Sequence, residues 1–170
     1  MTSSDDARIL EGWLQSLRTQ EEETPPEHES FVVVLRGDTY LAFPLSETTH
    51  IARLTTFSPL PDADPLMPGV TNLEGRVLPI LDVSPLIHLS HLSPQPGLYI
   101  IVVARGTLEA GILAHKAVDI HDVPKSHIQM EETSSIYIRG TYTWPLDTEQ
   151  YLVHIVNTER LFEAARSVYE

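Results

Sequence analysis

The chain offers histidines and carboxylates for chemistry, but no thiols. It holds 8 His and no Cys, which excludes disulfides, thiolate metal sites and cysteine nucleophiles. His88 and His91 sit close together in His88-Leu89-Ser90-His91, and His115, His121 and His127 recur at six-residue steps. Neither arrangement matches a ligand spacing, and no helical His-Glu-x-x-His occurs. Solvated or hydrogen-bonded imidazoles are therefore expected. Asp62 with Asp64, and Asp119 with Asp122, pair carboxylates in turn-like or strand-end contexts. Such pairs do acid–base work only inside a pocket that sets their protonation. Lys116 and Lys125 are the only lysines, and neither stands in an evident nucleophile setting. The 8 Gly are scattered and build no phosphate-cradling loop, and no Gly-x-Ser-x-Gly elbow is present. The expectation is no catalytic residue, no cofactor and no metal. A small β-barrel metalloprotein or hydrolase using the histidines is the rival reading. Stoichiometric zinc or nickel in the purified protein would favour it.

Charge narrows the partners. With 24 acidic and 11 basic residues the formal charge is -13. A nucleic-acid binder needs a cationic footprint, so an oligonucleotide-binding barrel is disfavoured, as is attachment to anionic membranes. Net negative charge aids solubility and favours basic partner surfaces. No apolar run approaches the roughly 18 residues of a membrane span. The start, MTSSDDARILEG, lacks the basic-then-apolar order of a signal peptide. A cytoplasmic location without direct membrane insertion is expected.

Two regions must carry whatever these side chains do. Residues 1–30 hold 8 acids and 2 bases. Within them, 5–19 predict an amphipathic helix with Ile9, Leu10, Trp13, Leu14 and Leu17 on one stripe, and 19–30, with Pro25-Pro26, predict an extended linker. From Phe31 to the end, at 170, short β-rich runs take over. FVVVLR (31–36), Gly37-Asp38 and TYLAF (39–43) spell a hairpin. Further strands are expected at 52–57, 76–83, 97–104, 108–114, 118–123, 135–140 and 151–156, with a tight turn at Arg105-Gly106. Asn157 suits the N-cap of a closing helix whose apolar face holds Leu161, Phe162, Ala165, Val168 and Tyr169. Many short strands with Gly, Pro and Asp punctuation predict closed or sandwiched β structure.

The segment PDADPLMPGVTNLEGRVLPILDV (61–83) is the most patterned. Gly69 and Gly75 bracket a short turn, and Asn72 can bond its own backbone there. Val77, Leu78, Ile80, Leu81 and Val83 read as a strand buried on both faces, with Pro79 marking an edge or bulge. On this reading Gly69, Asn72, Gly75 and Pro79 maintain the fold.

This segment resembles the signature of the CheW family of chemotaxis adaptors. Pro61, Pro65, Gly69, Val70, Asn72, Leu73, Gly75, Pro79 and Asp82 stand at matching positions without a gap. TYLAFPLSETTHIAR (39–53), LYIIVVARGTLEAGILAHKAVDIHDV (98–123, with Gly111 at the expected glycine), IYIRG (136–140) and LVHIVNTERLF (152–162) extend the resemblance from about Phe31 to Phe162. It implies an all-β fold with peripheral helices, two interlaced SH3-like five-stranded β-barrels. It also implies an adaptor that performs no chemistry. Its partners would be the regulatory domain of a CheA-like histidine kinase and the coiled-coil tip of a methyl-accepting chemoreceptor-like protein. Gly69, Gly75, Pro79, Asp82 and Gly111 would be structural, and Thr48, His50, Ile51, Asn72 and Glu74 would line the receptor-type groove.

The chain departs from the family pattern at charged positions. Thr48-Thr49-His50 stands where the family often has Val-x-Glu, Glu74 where it has Arg, Ser84 where an Arg is expected, and His115 where an Asp is common. A changed partner set, selected through Glu74 and His50, is the natural expectation, and two solvated loop residues the plain one. The N-terminal helix lies outside the resemblance. Its stripe of Leu10, Trp13, Leu14 and Leu17 docks on the chain's own barrel in one reading and on a partner in the other.

Overall fold

A computed structural model describes residues 9–10, 12–13, 27–130 and 135–169. The strands are β1 (His28–Arg36), β2 (Thr39–Pro44), β3 (Thr48–Arg53), β4 (Ser58–Pro59), β5 (Gly69–Leu73), β6 (Arg76–Leu81), β7 (Tyr99–Arg105), β8 (Leu108–Ala114), β9 (Lys116–Pro124), β10 (Ile138–Leu146) and β11 (Glu149–Val156). Helix α1 (Ser84–Ile87) follows β6, and α2 (Thr158–Tyr169) closes the chain. The strands form a five-stranded sheet in the order β10-β11-β2-β1-β9 and a six-stranded sheet in the order β3-β7-β8-β6-β5-β4. Each curls into a barrel. In the first, the bridge Gln129↔Thr141 ties the segment after β9 to β10. In the second, the outer strands β3 and β4 are joined directly through 54–57. The second barrel counts six strands because the chain after β3 returns as a separate two-residue strand.

Side-chain parity explains why the apolar runs are continuous. Phe31 and Val33 point into the first barrel with Ala42, Tyr142, Val153 and Ile155. Ile100 and Val102 point into the second with Leu78, Ile80 and Leu113. Their neighbours Val32, Val34, Ile101 and Val103 turn the other way, into a third cluster shared by both barrels. Successive strand residues face opposite sides, so a strand serving two cores has no polar face to show. That is why FVVV and YIIVV do not alternate.

Several sequence expectations need correction. The 61–83 stretch contributes Leu66, Met67, Leu81 and Val83 to the shared core, but β1, β2, β7 and β8 supply most of it. Val77 is 67% exposed, so β6 is not buried on both faces along its length. Pairing with β8 begins only at Ile80, which leaves Pro79 where that edge is still open. Gly69 begins β5 and is not part of a turn. The strand expected at 52–57 lies earlier, at Thr48–Arg53. The turn expected at Arg105-Gly106 is Gly106-Thr107. The strand expected at 135–140 starts at Ile138 and runs on to Leu146. Leu10 and Trp13 are helical and 61% and 69% exposed. Leu14 and Leu17 lie outside the described residues. Asn157 caps α2 as expected, its Oδ1 accepting from Arg160 N at 3.1 Å.

Candidate protein-interaction site

The motif residues sit in local geometries that use their particular side chains. Asn72 Oδ1 accepts a hydrogen bond from Gly75 N at 2.9 Å, and Glu74 and Gly75 take φ of 52° and 83°. Two positive φ values in succession make the tight turn that matches strand twist in a two-residue hairpin. Gly69 is needed for close approach, since a Cβ there would stand 2.3 Å from the Ser58 carbonyl oxygen. Gly111 is closely surrounded: a Cβ there would meet Ile80 Cδ1 at 3.3 Å, a tight contact with the end of a side chain, and Ile100 Cβ at 3.5 Å, an ordinary one.

Asp82 is fully buried and works across the seam between the barrels. Its Oδ1 accepts from Arg36 Nη2 at 3.0 Å, from Ser84 N at 3.1 Å and from the Ser84 hydroxyl. Its Oδ2 faces His91 Nδ1 at 3.3 Å. Arg36 also reaches the Ser84 hydroxyl and the Ser90 carbonyl. Arg36 ends β1 of the first barrel with the parity of Val32 and Val34, so it projects into the seam. Asp82 follows β6 of the second. The pair is an electrostatic rivet between the two units. Sequence reasoning picked Asp82 but missed Arg36 and His91. The available signal was a lone Arg closing an apolar run just before a turn.

The five groove candidates fall into two groups. Thr48, His50 and Ile51 lie on β3; Ile51 is 44% exposed, and His50 Nδ1 is 3.2 Å from Thr49 Oγ1. Asn72 and Glu74 are exposed at the β5–β6 hairpin. In sheet order β7 and β8 stand between the groups. Glu109 on β8 links them: its Oε1 lies 3.3 Å from Thr49 Oγ1 and its Oε2 accepts from Arg76 Nη1 at 2.7 Å. A separate apolar cleft of about 90 Å³ runs between β6, β8 and α2, lined by Met67, Pro79, Leu81, Ala110, Phe162 and Ala165 among others. None of the five candidates lines it.

Among the described residues no three His, Asp or Glu side chains come together to hold a metal. His121 shares a hydrogen bond with the Tyr142 hydroxyl at 2.7 Å. Burial lowers the His121 pKa, with Asp119 opposing, and burial followed by Asp119 raises that of Tyr142. His115 Nδ1 accepts from Gly37 N at 2.8 Å, bracing the first hairpin. No described helix is long and apolar enough to cross a membrane.

Two interlaced barrels with a shared core define the fold class. Comparison with known proteins gives the class its family. The CheW-like domain matches residues 29–166, and the chain belongs to that family. Protein FrzA of Myxococcus xanthus is 24% identical over 145 residues, covering 83% of this chain and 89% of that protein. The crystal structure of the scaffolding protein TtCheW from Thermoanaerobacter tengcongensis shares the fold, with a TM-score of 0.68 at 15% identity over 82% of this chain and 89% of that one. In this coarse sense the chain is a CheW-like adaptor.

Proposed function

We propose that the chain is a non-enzymatic cytoplasmic adaptor coupling a chemoreceptor-like coiled-coil tip to the regulatory domain of a CheA-type histidine kinase. An auxiliary pathway, such as pilus motility or phototaxis, is the setting that its altered charges favour. The observation that carries this reading is the CheW-like match across 29–166. The mechanism is a set of binding energies, with no bond made or broken. The kinase arm is tested by titrating the full chain with the regulatory domain of a CheA-type kinase from the same genome. Saturable one-to-one binding is expected, and its absence for every such kinase removes the reading.

Glu74 selects the receptor-side partner. Its φ of 52° lies in the left-handed region, where a residue other than Gly, Asn or Asp costs about 1 kcal/mol. Asp62 and Asp147 occupy similar positions elsewhere and tolerate them through short side chains. Glu74 has no such excuse, so its carboxylate, set on an exposed tip, is what the position supplies. Exchanging Glu74 for Arg is expected to change affinity for the receptor-type partner by about tenfold or more, with the melting temperature unchanged. Equal affinity would remove Glu74 from the contact.

The N-terminal stripe is a partner-binding helix on this reading. Ile9, Leu10 and Trp13 are 55%, 61% and 69% exposed, an apolar face of the kind that seats in a groove. Deleting residues 1–26, which stops short of β1, is expected to leave the barrel's unfolding midpoint unchanged and to abolish one partner interaction. A fall in stability would instead place the helix on its own barrel.

A further inference from the structure

The first barrel carries a cleft that the adaptor reading does not use. Its sheet ends at β9 on one side and β10 on the other. Among the described residues Gln129↔Thr141 is the bridge that joins them. Past that bridge the edges part and leave a cleft of about 310 Å³, whose walls include Ile120, Pro124, Tyr142, Trp144 and Pro145. The rings are ordered against one another. Trp144 meets His121 at 4.6 Å and Tyr40 at 5.4 Å, edge to face, and Tyr40 meets Tyr151 at 5.3 Å.

Asp122 lines the cleft beside His121 and His127, Asp119 lies 3.6 Å from His121, and the exposed Lys125 follows Pro124. The side chains of Asp119 and Asp122 are 56% and 66% exposed. Asp122 is approached by the Ser30 hydroxyl at 3.2 Å and by His28 Nδ1 at 3.7 Å, and His127 lines the far end.

The edges also restrict what can enter. β9 ends in Pro124 and β10 carries Pro145; neither has an N–H to extend a ladder, and prolines placed so blunt strand addition. An occupant must be held by ring stacking and by Asp122 and Asp119 at the mouth. A polyproline II segment has that character: it needs no ladder, loses little entropy on docking and packs proline rings on aromatic walls. Acidic side chains at the mouth select Lys or Arg beside the prolines.

We propose that the cleft between β9 and β10 binds a proline-rich, basic segment of a partner protein in the polyproline II conformation. This stands apart from the kinase and receptor roles and does not depend on them. The test titrates the full chain into a fluorescently labelled peptide of about twelve residues repeating Pro-Pro-Lys, read by anisotropy. Parallel titrations use Ala-Ala-Lys and Pro-Pro-Glu repeats. Saturable binding of Pro-Pro-Lys is expected, with both other peptides weaker by about tenfold or more. Trp144→Leu is expected to weaken the Pro-Pro-Lys complex by about tenfold, and the surface change Asp122→Lys by about fivefold without altering the melting temperature. The proposal is overturned if Pro-Pro-Lys does not saturate, if Ala-Ala-Lys binds equally well, or if Asp122→Lys leaves the affinity unchanged.

Discussion

Replacing Asp82 with alanine is expected to destabilise the fold by about 3–5 kcal/mol, the range for removing one partner of a buried ion pair. Arg36 and Asp82 are 3% and 0% exposed. Without the carboxylate, the guanidinium would keep only the Ser84 hydroxyl and the Ser90 carbonyl as acceptors. Its Nε already has no partner, so the loss falls on a donor set that is incomplete from the start. Leu81, Val83 and Ser84 are buried around the pair, whereas His91, which faces Asp82, is 62% exposed and marks the side nearest water. Replacing Arg36 with Met in the same chain should restore much of the stability, since an apolar pair leaves no stranded charge. Urea unfolding of the two single variants and the double variant measures this. A loss below about 1 kcal/mol for Asp82→Ala, the scale of an exposed pair, would mean that the seam is wet.

Gly69→Ala should be the most damaging single methyl addition in the motif, at about 3 kcal/mol, the upper part of the range for overpacking. The new carbon would collide with a backbone oxygen at 2.3 Å and with the Phe57 ring at 2.6 Å. Phe57 can rotate away; the Ser58 carbonyl is fixed by the pairing of Ser58 with Val70 and of Pro59 with Gly69. The response should be local, with β4 lifting from β5, so hydrogen exchange should quicken at Val70 and around Ser58 before the global transition. Gly75→Ala makes the control. A Cβ there meets nothing within 4 Å, and only the positive φ opposes it, at about 1 kcal/mol. If the two variants melted alike, close approach would not be the reason for Gly69.

The first hairpin was legible in the sequence because local and global signals agree there. Gly37 takes the positive φ that its turn needs, and the flanking runs are apolar enough for any face. The later half of β10 was not. Its residues TYTWPL alternate weakly and contain Pro145, which reads as a stop; the strand survives because it is an edge and the proline's missing N–H faces no partner strand. The motif segment was legible as structural, but its partners were not. The Arg36–Asp82 pair spans 46 positions, and nothing local says which buried carboxylate a solitary Arg will meet. Val77 misled because a run of apolar letters does not reveal where pairing with β8 begins. At the candidate site, the residue types of Thr48, His50 and Glu74 marked departures from the family, while the intervening Glu109 bridge could be seen only once the barrel was closed.

The order in which the strands are used has a consequence for biosynthesis. All of β3 to β8 lies in one stretch, 48–114, whereas the first barrel takes β1 and β2 from before it and β9 to β11 from after it. A ribosome therefore finishes every strand of the second barrel while the first is still missing three. Until β11 emerges, β2 offers the unpaired edge where Tyr40, Leu41 and Ala42 later pair in parallel with Val153, His154 and Ile155. Such an edge is a template for another chain, so nascent copies translated side by side are exposed to mispairing at β2 until β11 has been made.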